Sequence, residues 1–205
     1  MILASTILYL IRGVLIFYFS KFEEKEKKPE KVFHRENLSF FMPEVKIRSQ
    51  ELFDAELLFE IITHTNLEFI EMPIKTLEEE KCFLRLNEAK RNANFEYNYS
   101  ILFYGKLVGA CGIRIDQHRP WVGEIGYFVD RDYQGKGIAV EAVRQLEKVG
   151  FEGLDLQRIT IHMDTRNLAS ERVAQKCGYE KEGVMKKVHR VGEDYYDCFM
   201  YAKTR

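Results

Sequence analysis

A short stretch near the middle of the chain, residues 134–139 (Gln-Gly-Lys-Gly-Ile-Ala), has the composition of an anion-binding loop. It follows an apolar run, residues 125–129, with the length and composition of a buried strand. Glycines at 135 and 137 allow the backbone to approach a ligand closely, and free N–H groups at a helix start favour an anion. A helical pattern begins there, with one apolar face formed by Ala139, Val143, Leu146 and Gly150. The sequence therefore predicts a strand–loop–helix unit that binds a phosphate.

Three phosphate-binding patterns can be compared with this loop. A P-loop requires Gly-x-x-x-x-Gly-Lys followed by Ser or Thr, but Gly137 follows Lys136 and Asp130 occupies the first glycine position. A dinucleotide fingerprint needs a third Gly or Ala at position 140, which is Val140. The remaining pattern is Gln-x-x-Gly-x-Ala, beginning at Gln134. Taken alone it is equally compatible with an ordinary strand-to-helix turn, so its context must decide.

Composition restricts the class of protein. The 205 residues suit one main domain with a substantial core, and 46% apolar and 13% aromatic residues are typical of a globular protein. A net charge of −1 gives no electrostatic reason to expect nucleic-acid binding. The four cysteines are widely separated, without a C-x-x-C pair or a histidine cluster. This spacing supports neither disulfides nor a metal site and indicates a reducing compartment.

The N-terminus differs from the rest of the chain. Residues 1–20 are largely apolar and about long enough to span a bilayer, although Arg12 lies near their centre. Residues 21–37 begin with five lysines and four glutamates around Pro29 and are predicted to be a solvated linker. Three interpretations remain open for residues 1–20: a membrane anchor or interfacial helix, a helix packed on the domain or a partner, and a start codon placed too early. The lysines that follow favour a cytoplasmic catalytic domain.

Residues 38–205 have the pattern of a mixed α/β domain. We expect a strand at 44–49, helices at 51–65 and 76–94, and strands at 98–104 and 107–115 joined by a Gly105-Lys106 turn. Thr76 and Glu79 have capping-box spacing. After the loop helix come a strand at 156–163, a helix at 167–177 and a closing antiparallel pair at 179–187 and 194–203. The strand–helix–strand order predicts one parallel strand pair with a right-handed crossover.

This order of elements resembles the GNAT superfamily of N-acetyltransferases, in particular its RimJ/RimL branch of ribosomal-protein N-terminal acetyltransferases. Three separate segments carry the resemblance: residues 124–142 with the loop, residues 167–183, and the closing residues 195–201. The resemblance implies a GNAT fold, with a central, mostly antiparallel sheet, a splayed parallel strand pair and flanking helices. It also implies acetyl-CoA as cosubstrate and no metal.

The same resemblance assigns cofactor-binding residues. Gln134 belongs to the signature, and the amides of Gly135, Lys136, Gly137, Ile138 and Ala139 would bind the pyrophosphate, which agrees with the chemistry of a helix start. Backbone groups of Tyr127, Phe128 and Val129 would contact the pantetheine arm, and one N–H there would polarise the thioester carbonyl. Asn167 matches a position that reaches the cofactor arm, although a helix cap alone would also explain it.

Acyl transfer to an amine requires a deprotonated amine and a proton for the leaving thiolate. Glu124, at the start of the central strand, is the candidate base, and burial is expected to raise its pKa. Its alternative is a surface ion pair. Ser170 is the candidate acid, with Tyr179 behind it, while an ordinary helix serine and a core tyrosine are the alternatives. His162 and His189 are expected to be structural.

The expected acceptor amine follows from a comparison of the pKa values of the candidate amines. An α-amine has a pKa of about 7.7 to 8.0, against about 10.4 for lysine, so it needs less help from a base. We therefore expect a protein N-terminal α-amine as acceptor. A small-molecule amine, such as a polyamine or an aminoglycoside, is the alternative, and a non-catalytic, membrane-tethered acyl-CoA-binding module is an alternative of another class. The expected protein is cytoplasmic, with possible membrane contact through residues 1–20, and either a monomer or a homodimer.

Overall fold

The computed structural model describes residues 44–65, 69 and 74–205. The apolar segment 1–20, the linker 21–37 and the domain start at residue 38 lie outside these ranges and stay predictions. No helix within the described ranges is long and apolar enough to cross a membrane.

The described chain forms one seven-stranded sheet in the order β1-β2-β3-β4-β5-β7-β6. Strands β1 to β4 form one antiparallel half, and β5, β7 and β6 form the other. The two halves meet at β4 and β5, the one pair of described strands that runs parallel. The strands are β1 (Val45–Ser49), β2 (Glu96–Phe103), β3 (Lys106–Ile115), β4 (Val122–Val129), β5 (Arg158–Asp164), β6 (Glu180–Val191) and β7 (Asp194–Thr204). The predicted mixed, mostly antiparallel sheet is confirmed.

Helices cover both faces of the sheet. They are α1 (Ala55–His64), α2 (Leu77–Arg85), α3 (Asn87–Asn92), α4 (Ile138–Lys148) and α5 (Leu168–Lys176). Helix α4 places Ile138, Ala142, Val143 and Leu146 in the main hydrophobic core, beside buried residues of β3, β4 and β5. Helices α1 and α2 form a second cluster with Leu107 and Ala110 of β3. Strand β3 therefore buries both faces, as its almost continuous apolar sequence requires.

Two predicted boundaries are wrong for identifiable reasons. The hairpin turn is Tyr104-Gly105, one residue earlier than predicted, and both residues have positive φ (48° and 79°), as a tight hairpin turn demands. The predicted helix at 76–94 breaks after Arg85 into α2 and α3. The break positions Asn87, whose buried side chain donates to Gln50 and accepts from Asn98. Those partners lie on distant segments, so no local pattern indicated them. The capping box of Thr76 and Glu79 is confirmed.

The parallel strand pair separates soon after it begins. Only three residues of each strand are in register: Val122 with Arg158, Gly123 with Ile159, and Glu124 with Thr160. Strand β4 continues for five residues beyond Glu124, about 17 Å at the usual strand rise, without a ladder partner on β5 among the described residues. We call this opening between residues 125–129 and 161–164 the strand gap. It leads from Glu124 up to the loop that precedes α4.

Candidate active site

The loop at residues 130–137 is held in shape by its own side chains. Asp130 accepts a hydrogen bond from the Asp132 amide and caps a short turn at Arg131–Tyr133. The Gln134 side chain donates to the Val129 carbonyl at 3.0 Å, and Lys136 Nζ donates to the Asp132 carbonyl at 2.9 Å. These contacts are local, but distant residues also hold the loop, since the Asp130 amide donates to the Val108 carbonyl and the Arg131 amide to Thr65 Oγ1.

The main chain after this turn presents a run of free donors. Helix α4 starts without a side-chain cap, and Gly137 at the N-cap has φ 81°. The six successive amides of residues 135–140 have no hydrogen-bond partner among the residues that the structure describes. Space is open beside Gly135 and Gly137, where a Cβ would meet nothing within 4 Å. Unpaired amides at the positive end of a helix dipole bind anions, so this loop fits a diphosphate.

Strand β4 carries the predicted contact segment from the loop into the strand gap. On one edge, Tyr127, Phe128 and Val129 pair with β3. On the other edge, no ladder partner from β5 is present in the described chain, so main-chain groups remain for an extended ligand. Gly109 on β3 permits this arrangement, because a Cβ there would lie 2.2 Å from the Phe128 carbonyl oxygen.

Ser170 and Tyr127 meet across the top of the strand gap. The Ser170 hydroxyl, on the first turn of α5, lies 2.8 Å from the Tyr127 phenol of β4. Burial raises the pKa of Tyr127 to about 12, so its phenol keeps its proton at neutral pH. Asn167 caps α5, since its Oδ1 accepts the Ser170 amide at 3.0 Å. The cap alternative for Asn167 is therefore observed, and the candidate acid Ser170 sits where a proton-carrying partner contacts it.

Tyr179 does not join this pair. Its side chain lies in the main core, its hydroxyl has no hydrogen-bond partner among the described residues, and burial followed by the Glu147 charge raises its pKa far above the usual range. Glu147 lies nine residues along α4 from Ile138, about 14 Å from the loop end of that helix. The structure therefore favours the core alternative for Tyr179 over a role as acid.

Glu124 occupies the base of the strand gap, where the last pair of the parallel ladder forms. Its side chain is half-exposed, and Oε1 lies 3.3 Å from His162 Nδ1 of β5. Contact with His162 lowers the pKa of Glu124, against a smaller opposing effect of burial. The expectation that burial raises this pKa is therefore wrong, because the sequence did not indicate the histidine partner.

An open cleft of about 340 Å³ lies on the Glu124 face of the sheet. Its lining includes Glu124, His162 and Asp116, and it ends near Met185 and Met200 of the two last strands. Three arginines also line it: Arg114, Arg119 and Arg158. The cleft and the strand gap meet at Glu124, so a second substrate in the cleft could reach a group held in the gap.

Sequence reasoning missed His162 as part of this site. Alternation along β5 places residues 160 and 162 on the same face of the sheet, and Glu124 shares that face because it pairs with Thr160. The pairing register between β4 and β5 is set by tertiary packing, so the sequence of β5 alone did not indicate the contact. Within the described ranges, no group of three His, Cys, Asp or Glu residues could hold a metal ion.

A sheet split between two parallel strands, with a helix start of free amides at the end of the gap, is the arrangement expected of an acetyl-CoA-dependent acyltransferase. Residues 45–180 match the acetyltransferase (GNAT) domain family. The chain therefore belongs to the GNAT acetyltransferases and is an N-acetyltransferase, and the predicted resemblance is confirmed.

Individual relatives agree with this assignment. The probable N-acetyltransferase YjcK of Bacillus subtilis (strain 168) is 45% identical over 126 residues, which are 58% of this chain and 70% of that protein. Among solved structures, the ribosomal L7/L12 α-N-protein acetyltransferase RimL in complex with coenzyme A matches with a TM-score of 0.73 and 22% identity, covering 78% of this chain and 93% of that one. The microcin C7 self-immunity acetyltransferase MccE, in complex with acetyl-CoA and AMP, matches with a TM-score of 0.72 and 23% identity, covering 78% and 92%.

Proposed function

We propose that this enzyme transfers the acetyl group of acetyl-CoA to the α-amine of a protein N-terminus. The observation that carries the proposal is the run of six free amides at the end of the strand gap, which leads directly to the cleft at Glu124. A diphosphate fits the amides, and an extended arm fits the unpaired edge of β4. Acetyl-CoA would supply the activated thioester at the base of the gap.

The chain's own groups have separate roles in this proposal. The amides of residues 135–140 bind the diphosphate, with Gln134 holding the loop against Val129. Backbone N–H groups between Tyr127 and Val129 orient the carbonyl and stabilise its developing negative charge. The Ser170 hydroxyl, in contact with the Tyr127 phenol, supplies the proton that the leaving sulfur requires.

The charges of the cleft favour a peptide over a polyamine. Three arginines line it, and each is paired with a carboxylate (Arg114 with Glu96, Arg119 with Asp116, Arg158 with Glu182), so the lining has no surplus of carboxylates. A polyamine carries several positive charges and would need a surplus of carboxylates, whereas a peptide N-terminus carries one ionisable amine and main-chain carbonyls that arginines can bind. The structural similarity to RimL, described as a ribosomal L7/L12 α-N-protein acetyltransferase, supports a protein N-terminus as the acceptor.

A cytoplasmic location is part of the proposal. All four cysteines, Cys82, Cys111, Cys177 and Cys198, are free, which suits a reducing compartment. Acetyl-CoA and newly made protein N-termini are expected in the same compartment.

The test is release of free thiol from acetyl-CoA with a panel of amines. We expect turnover with short peptides bearing serine or alanine N-termini, and none with the same peptides after N-terminal blocking. Spermidine and an aminoglycoside serve as small-molecule competitors. Tight coenzyme A binding without turnover of any amine would contradict the enzyme proposal, and preference for spermidine would contradict the peptide acceptor.

A further inference from the structure

The surroundings of His162 are not explained by a purely structural role. Its Nδ1 lies 3.3 Å from Glu124 Oε1, while its Nε2 is shielded from solvent and has no hydrogen-bond partner among the described residues. An unpaired, shielded ring nitrogen is unfavourable, and such groups in native proteins call for a functional explanation. The imidazole therefore has one nitrogen beside a carboxylate and one nitrogen without a partner among the described residues.

The location of this free nitrogen matches the proposed chemistry. Glu124 and Thr160 form the last pair of the parallel ladder, and His162 lies two residues further along β5, at the start of the strand gap. Both Glu124 and His162 line the cleft. An amine that enters through the cleft reaches a thioester in the gap at this point.

We propose that His162 is the general base of the transfer and that Glu124 is its positioning residue, an inference that rests on the proposed function. The Glu124 carboxylate, 3.3 Å from Nδ1, favours a proton on this nitrogen, and that tautomer leaves the lone pair on Nε2. That lone pair takes a proton from the acceptor amine. Because Nε2 has almost no accessible surface, this step requires that the acceptor displace the side chains that cover the nitrogen as it enters the cleft.

Glu124 is less suited to be the base itself. Its pKa is lowered by the contact with His162, so the carboxylate has little affinity for a proton at neutral pH. A neutral imidazole nitrogen that faces the acceptor side offers a lone pair for the proton of the amine, which is the role of a general base.

The reaction balances with these groups. The acceptor begins as an ammonium with three protons and ends as an amide with one. One proton moves to His162 Nε2 and then to water. The nitrogen forms a bond to the carbonyl carbon, and the carbon–sulfur bond breaks with its electrons on sulfur. The Ser170 hydroxyl gives its proton to sulfur, and the second proton from nitrogen restores that hydroxyl. The products are the acetylated amine, the free thiol and one released proton.

Other charged or titratable groups surround the pair and must be considered in any pH profile. They are Arg114 opposite Glu124 on β3, Asp116 and Arg119 after β3, Arg158 and Asp164 on β5, and Cys198 on β7. Asp116 is paired with Arg119, Arg158 with Glu182, and Asp164 with Arg166 and His189. Because these partners are already engaged, Glu124 is the carboxylate that holds His162.

The first experiment compares His162→Gln with His189→Gln in the full chain, using a serine-initiated peptide between about pH 6 and pH 9. His189 is a matched control, since it also contacts a carboxylate, Asp164 Oδ2, at 3.1 Å, but it does not line the cleft. We expect His162→Gln to lower kcat about 100-fold and to remove the acid limb of the profile. Coenzyme A affinity, measured by calorimetry, should stay unchanged. A kcat within about threefold of His189→Gln would overturn the proposal.

Glu124→Gln tests the positioning role. Without the carboxylate, the imidazolium is less stabilised, so the acid limb should move to lower pH while kcat falls about 10-fold. A profile that keeps its position would contradict the role of Glu124.

Nitrogen NMR of the histidine ring tests the same inference without any acceptor. At pH 8 we expect His162 to carry its proton on Nδ1, with coenzyme A bound and without it. A proton on Nε2 would overturn the proposal even if peptides are turned over. If no peptide is acetylated, the proposed function fails separately, and the tautomer still decides whether the pair is arranged as inferred.

Discussion

The phenol of Tyr127 and the hydroxyl of Ser170 lie 2.8 Å apart, joining β4 to the first turn of α5 across the strand gap. The two residues are separated by 43 positions in sequence, and β4 and β5 no longer pair at this level. This contact is therefore one of the few polar links between the two halves of the site. It gives the candidate acid Ser170 a neighbour that holds a proton.

Removing either hydroxyl should slow the transfer without weakening cofactor binding. We expect Ser170→Ala to lower kcat about 100-fold and Tyr127→Phe about 10-fold, with coenzyme A affinity changed less than about twofold. If the two hydroxyls act as a unit, the double variant should be no slower than Ser170→Ala. Tyr97→Phe is the matched control, because Tyr97 packs on the same core and bonds only Asn94 at 2.9 Å. If the double variant lowers kcat by the product of the two single effects, the hydroxyls act independently.

The loop assignment can be tested by a charge at Gly137. Gly137→Glu places a carboxylate among the free amides, so coenzyme A affinity should fall at least about 100-fold by calorimetry. Gly105→Glu is the control, since Gly105 has nearly the same φ (79° against 81°) and equally open space in the β2–β3 turn. Both variants should lose similar thermal stability from left-handed strain. Equal coenzyme A affinities in the two variants would refute the loop as the diphosphate site.

Close contact between β3 and β4 depends on Gly109. A Cβ at this position would lie 2.2 Å from the Phe128 carbonyl oxygen and 3.0 Å from the Val129 Cα, and backbone atoms cannot move aside cheaply. Gly109→Ala should therefore cost about 3 kcal/mol of unfolding free energy in a denaturant titration. Gly126→Ala on β4, where the space is open, should cost far less. Equal losses for both variants would mean that the strands relax without strain.

Glu80 should make stability depend on pH. Its side chain is 2% exposed, Oε2 has no hydrogen-bond partner among the described residues, and burial raises its pKa to about 7 against a smaller effect of Lys90. Between the ordinary value of 4.5 and about 7, the folded state binds more protons than the unfolded state, so stability falls as pH rises through this window. Above about pH 7 the buried Glu80 carboxylate is charged in the folded protein, and the loss of stability is complete.

Glu80→Gln removes this titration. At pH 8 the variant should be more stable than the natural protein by about 3 kcal/mol, while near pH 4.5 the two should be similar. Unfolding by urea at several pH values measures the difference. Glu78→Gln, on the exposed side of the same helix turn, should leave the pH dependence unchanged. Parallel stability curves for the natural protein and Glu80→Gln would show that Glu80 does not titrate in this range.

Much of the site was predictable because its central part is local. Within the loop at residues 130–137, three side-chain hydrogen bonds join residues at most five positions apart, although the amides of Asp130 and Arg131 bind Val108 and Thr65. Its two positive-φ positions are glycines, which the sequence shows directly. Helix α4 follows with a regular apolar face, and Asn167 precedes α5 at a cap position. Local rules of turns, caps and periodicity were therefore sufficient for the cofactor side.

The acceptor side was not predictable in the same way. Glu124 was recognised as a carboxylate on a central strand, but its pKa shifts downward because β5 brings His162 within 3.3 Å. That contact depends on the parallel register that places Glu124 beside Thr160, and register is decided by how α4 and the core pack between the strands. The separation of Tyr179 from Ser170, and the contact of Ser170 with Tyr127, were decided in the same way.

By itself, the sequence determined the loop, the helix caps, the order of elements and the family, since each depends on neighbouring residues or on their order along the chain. Only the tertiary structure decided which side chains share the strand gap and the cleft. The physical reason is that Glu124, His162, Tyr127 and Ser170 lie on strands and a helix whose relative positions are set by burial of the common core, far from the residues themselves in sequence.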